Sequence, residues 1–72
     1  MIAYVILAEE VGTPAYTVGC YATLETAAIE VIDFFGKRLT EKIDILPGSD
    51  SKTISQYRVL RTIVSILELQ VK

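Results

Sequence analysis

The sequence contains no histidine and no tryptophan, a single cysteine and two prolines. Without histidine the commonest general base and metal ligand is missing, and the usual Cys-His and Ser-His nucleophile pairs cannot be assembled. Cys20 has no partner for an internal disulfide, whereas small extracellular domains usually depend on several, so a cytoplasmic setting is expected. One thiolate among carboxylates is not a usual tetrahedral zinc set. Gly12 and Gly19 fit neither G-x-G-x-x-G nor G-x-x-x-x-G-K-[ST], which removes the familiar phosphate loops. No apolar run approaches the roughly 18 to 20 residues that span a bilayer. The opening MIAYVILAEE has no basic segment before its apolar run and no small-residue cleavage pattern after it, so neither a secretory signal nor membrane insertion is expected. Together these gaps predict no enzyme, no metal and no cofactor.

What is abundant is aliphatic surface. Of 72 residues 51% are hydrophobic, with a mean hydropathy of +0.44, and Ile, Val and Leu supply most of it. A chain this short forms one compact domain and buries only about 60% of the surface that its unfolded form exposes. More apolar surface is present than one small core can hide. Large exposed apolar patches are uncommon on soluble monomers, so the surplus predicts a protein partner, with a homo-oligomer as the simplest case.

Charge is unevenly spread although the net value is only -2. Residues 1–36 hold Glu9, Glu10, Glu25, Glu30 and Asp33 and no base, while residues 37–72 hold seven bases against four acids. Two oppositely charged halves attract each other within one fold, and the acidic half also offers a surface for a basic partner.

Residues 2–8 are apolar on both alternating faces, which predicts a central strand ending in turn chemistry at residues 9–14. Residues 15–22 read as its hairpin partner, with Gly19 marking a bulge. From Thr23 the period changes to 3.6: Leu24, Ala27, Ala28, Val31 and Phe35 share a face, Thr23 is a suitable N-cap, and Gly36 fits the position past the helix end. Residues 42–46 read as a short edge strand closed by the turn Pro47-Gly48. In residues 51–72 the β-branched content favours strand, but Tyr57, Leu60, Ile63, Val64, Leu67 and Val71 fall on one helical face and no Gly, Pro, Asn or Asp follows Asp50 to turn a hairpin. This segment is therefore read as a second helix. The expected fold class is α+β: a two-layer ββαβα domain with a three-stranded, mainly antiparallel sheet and two helices. The alternative is ββαββ, with the C-terminal segment as strands.

Tyr16-Thr17-Val18 followed by Thr23-Leu24-Glu25-Thr26-Ala27 resembles the strand-to-helix step of HicB-type antitoxins. The likeness covers about a sixth of the chain, lacks the intervening strand and Leu-Pro-Gly turn of that family, and carries no function over.

The residues singled out for partner binding are Tyr4, Tyr16, Glu25, Glu30, Asp33, Arg58 and Arg61. Tyr has a large apolar body and a polar tip and is enriched in interfaces, and Tyr4 and Tyr16 are expected side by side on one sheet face. Glu25, Glu30 and Asp33 line the polar side of the first helix. Arg58 and Arg61 lie one turn apart on the expected second helix, a basic stripe too sparse to predict nucleic-acid binding. The function expected is a small non-enzymatic interaction module that binds and blocks or bridges a partner surface. Accessory proteins of phages and mobile elements, including anti-CRISPR-like inhibitors of host defence, are of this kind. A small dimeric regulatory or ligand-binding domain, and a weak nucleic-acid binder acting through the C-terminal segment, are the alternatives.

Overall fold

The computed structural model of the chain describes residues 1–71. It contains five strands and one helix: β1 (Ile2–Glu10), β2 (Tyr16–Tyr21), α1 (Leu24–Phe35), β3 (Thr40–Ile43), β4 (Thr53–Val59) and β5 (Thr62–Gln70). The strands form one sheet in the order β2-β1-β5-β4-β3, and every neighbouring pair is antiparallel. No helix of the described residues is long and apolar enough to cross a membrane.

Thr23 has extended geometry and accepts a hydrogen bond from the Thr26 backbone N–H at 3.2 Å, which starts α1. Gly36 ends it: its φ of 90° lies where a side chain is disfavoured, and its N–H donates to the Ile32 carbonyl at 2.8 Å. The Thr40 hydroxyl then donates to the Gly36 carbonyl at 2.8 Å, tying the first residue of β3 to the helix end. α1 packs across one face of the sheet through Ala27 and Val31, which have no exposed surface, against Ile6, Ala8, Val64 and Ile66, also fully buried. Tyr57 and Val59 extend this core, with Tyr4, Val18, Tyr21, Ala28, Phe35 and Ile54 at its margin. Burying each large aliphatic side chain is worth about 1.5–3 kcal/mol, so this layer carries much of the stability.

The expected three-stranded sheet with two helices is wrong. Residues 53–70 form the β4–β5 hairpin, so the described residues hold five strands and a single helix, and the ββαββ alternative is one strand short. Lys72 of the expected second helix lies outside the described residues. The misreading has two causes. β5 is flanked on both sides and apolar on both faces, so its alternation is masked. The hairpin also turns without a turn residue: the Val59–Thr62 pair encloses Leu60 and Arg61, and Leu60 itself takes φ 56°. β3 likewise begins and ends earlier than the expected residues 42–46, because residues 44–52 leave the sheet.

β2 contains an irregularity. Ile6 pairs with Gly19 and Leu7 with Thr17, so Val18 is the extra residue of a bulge beside Gly19. The Tyr21 ring lies over Gly19 where a Cβ would otherwise stand.

Leu60 is 72% exposed, so no packing offsets its strained backbone. Leu60→Gly is expected to stabilise the chain by up to about 1 kcal/mol, and Leu60→Ile to destabilise it by a similar amount, measured as shifts in the urea midpoint.

Candidate functional site

Paired residues in a sheet share a face, and successive residues alternate between faces. The register therefore sorts the side chains into the layer beneath α1 and a second face without a helix. The helix-free face carries Ala3, Val5, Leu7 and Glu9 of β1, opposite Leu69, Leu67, Ser65 and Ile63 of β5. β4 adds Gln56 and Arg58, opposite Ser65 and Ile63, and β2 adds Thr17 and Cys20, opposite Leu7 and Val5. Ala3, Val5, Leu7, Ile63 and Leu69 are half-buried and Leu67 is buried. Apolar chemistry thus continues through the sheet to its second surface.

The β3–β4 loop partly covers that surface. Its turn is Leu46-Pro47-Gly48-Ser49: the Ser49 N–H donates to the Leu46 carbonyl at 3.3 Å, and Gly48 takes φ 84°, as the third residue of a type II turn requires. Gln56 of β4 anchors this turn. Its Oε1 accepts from the Leu46 N–H at 2.8 Å, which fixes the amide's orientation, and its Nε2 donates to Ser49 Oγ at 2.8 Å and Ser65 Oγ at 3.1 Å. One buried amide therefore joins loop, β4 and β5. Past the turn, the Asp50 carboxylate accepts from the Lys52 N–H at 2.8 Å, and the Lys52 carbonyl accepts from the Glu68 N–H at 2.9 Å, returning the chain to the sheet.

Between this loop and the β1–β2 connection lies a groove of about 420 Å³. Leu7, Ile63, Ser65, Leu67 and Gln56 line its sheet side, Leu46 and Pro47 lie on the loop side, and Val11 and Ala15 belong to the β1–β2 connection. Glu9, Asp50 and Arg61 bring charge to the lining. Apolar and polar side chains contribute to its lining in nearly equal number.

The structure separates the residues proposed from sequence. Glu25, Glu30 and Asp33 lie on α1, with Glu25 and Asp33 exposed and Glu30 half-buried, on the side of the sheet away from the groove. Arg58 is on the helix-free face opposite Glu41 of β3, an opposite-charge cross-strand pair, and Arg61 is in the hairpin turn beside the groove. The helical basic stripe does not exist. Tyr4 pairs with Tyr21 and Tyr16 with Ala8, so Tyr4 and Tyr16 share the helix-side face but stand about 13 Å apart along the strand rather than side by side. Among the described residues no three His, Cys, Asp or Glu side chains gather as an ion would require. Sequence reasoning missed Leu7, Leu46, Gln56 and Ile63. The apolar second faces of residues 2–8 and 62–70 were the available signal for two of them, while Gln56 carried none.

No family model matches the chain, and comparisons with curated proteins and with solved structures found no match.

Gln56→Met keeps the side-chain length but removes both donors and the acceptor. It is expected to cost about 1–3 kcal/mol and to speed hydrogen exchange at the Leu46 amide, measured by denaturant titration and NMR. The Tyr4 hydroxyl donates to Glu68 Oε2 at 3.3 Å; desolvation, then the charge of Glu68 and this hydrogen bond, hold it above its ordinary value near 10. Ionisation is therefore harder in the folded than in the unfolded chain. The contribution of Tyr4 to stability is complete below pH of about 10 and declines as the pH rises through the higher folded value. Glu68→Gln is expected to lower the Tyr4 titration midpoint towards the ordinary value, observed by NMR of its ring.

Proposed function

We propose that the chain is a non-enzymatic protein-interaction module that holds a partner's surface on the helix-free face of its sheet. The observation that carries this reading is the half-buried strip of Ala3, Val5, Leu7, Ile63 and Leu69 on the helix-free face, beside a groove of about 420 Å³. Removing such surface from water contributes about 25 cal/mol per Å², so apolar contact supplies the affinity. Glu9, Asp50 and Arg61 at the groove, with Arg58 nearby, orient the partner rather than bind it, as charges around a desolvated centre do. The Gln56 bonds hold one wall of the groove in place, so less ordering is lost on association. Glu25 and Asp33 stay hydrated on the opposite side of the molecule and oppose indiscriminate association there. A nucleic-acid role has less support, because Arg58 and Arg61 form no continuous basic track.

A photoreactive residue at Val5 or Ile63 is expected to crosslink a partner protein in lysate, and one at Ile29, 60% exposed on α1, is expected not to. Equal labelling from Ile29, or none from either sheet position, would remove this reading.

A further inference from the structure

The edges of the sheet form surfaces distinct from its helix-free face. β2 and β3 are the two edge strands, and an edge presents unpaired backbone donors and acceptors that will pair with another strand unless something prevents it. β3 is protected: it has four residues, of which Glu41 and Lys42 are charged. β2 carries less protection: its six residues, Tyr16-Thr17-Val18-Gly19-Cys20-Tyr21, include neither a charge nor a proline, and its edge is blunted only by the bulge at Val18. Tyr16 is 50% exposed at one end, and Thr17 and Cys20 are also exposed.

The bulge gives this strand an unusual property. From its pairing with β1, Tyr16, Gly19 and Tyr21 share the helix-side face with Ala8, Ile6 and Tyr4, and Val18 packs against the same core, while Thr17 and Cys20 share the opposite face with Leu7 and Val5. The order of faces along β2 is helix side, open side, helix side, helix side, open side, helix side. That order reads the same in both directions. A sheet continued from one copy into another requires opposed residues to share a face. For two antiparallel β2 strands, a single register meets this condition at all six positions: Tyr16 against Tyr21, Thr17 against Cys20 and Val18 against Gly19 of the second copy. Any other register that overlaps four or five residues opposes side chains from different faces. The favoured register also sets each Tyr against a Tyr and places the bulges against each other on the two-fold axis.

We propose that two copies of this chain dimerise through antiparallel pairing of their β2 strands in that register, forming one ten-stranded sheet with both helices on the same side. The edge strand is about 20 Å long, so the interface is smaller than that of a standard stable complex, and the dimer is a reversible one. The helix-free faces of the two copies then form one continuous surface of twice the width.

The register makes the test specific. Thr17→Cys, made in the chain that keeps Cys20, sets two pairs of thiols across the seam. Three residues of extended chain separate positions 17 and 20 by about 10 Å, beyond the reach of an internal bridge. Mild oxidation is expected to give a covalent dimer in which peptide mapping finds position 17 joined to Cys20 of the second copy. The unaltered chain is expected to show concentration-dependent dimerisation in sedimentation. The doubly substituted Thr17→Lys, Cys20→Lys chain, its fold checked by circular dichroism, is expected to dimerise at least tenfold more weakly, because lysines then oppose each other. Bridges joining 17 to 17 or 20 to 20, or a monomer throughout the sedimentation series, overturn the proposal. None of these results bears on which face the photoreactive probes at Val5 and Ile63 report.

Discussion

The pairing of the first strand with the last holds the molecule together. β1 and β5 are matched residue for residue over nine positions, from Ile2 against Gln70 to Glu10 against Thr62, and every other strand hangs on this ladder. The β1–β2 hairpin extends the sheet on one side and the β3-β4-β5 meander on the other. α1 must then travel from one edge to the other, which lays it across the middle of one face. Because the ladder joins residues from opposite ends of the chain, its closure costs much loop entropy before any contact compensates. The nearly uninterrupted apolar character of both strands provides that compensation.

The same ladder explains why the second face of the sheet is unusual. Central strands that are apolar on both sides need cover on both sides, and the described residues hold only one helix to supply it. A loop does the rest. Residues 44–52 fold over part of the face, and Gln56 satisfies the loop's Leu46 N–H while spanning Ser49 and Ser65. A buried amide with every partner in place is inexpensive, whereas the same amide with one partner missing is costly, so this contact fixes the loop in a single position. Leu7, Ser65 and Leu67 share the groove with the loop, whereas Ala3 and Val5 of β1 and Leu69 of β5 lie outside its lining. Exposed Val11, Ile29, Phe34, Leu39, Ile45 and Leu60 add to the apolar surface that a chain of this size cannot enclose.

Much of the first half of the fold was legible in the sequence. Residues 2–8 were apolar on both faces, Thr23 and Gly36 bracketed a clean helical period, Gly19 flagged the bulge, and Pro47-Gly48 announced the turn. The C-terminal hairpin was not legible. Its turn uses Leu60, a residue with no preference for positive φ, and its apolar residues fall by coincidence on one helical face. Only partners on both sides make a strand of that segment, and those partners are distant in sequence. The site was still less legible. Tyr16 lies on an edge strand and Arg61 at the groove, but Gln56 and Ser65 are ordinary polar residues until the sheet places them beside the turn.

By itself the sequence determined composition and local conformation: an aliphatic surplus, the lack of histidine, and the positions where backbone geometry admits few residues. These properties depend on neighbours along the chain. Tertiary structure decided the state of residues 53–70, the sorting of side chains between two faces, the course of the loop over one of them and the palindromic order of faces along β2. Each of these depends on strand pairing between segments far apart in sequence, and a shift of one residue in that pairing would exchange every inward side chain for an outward one.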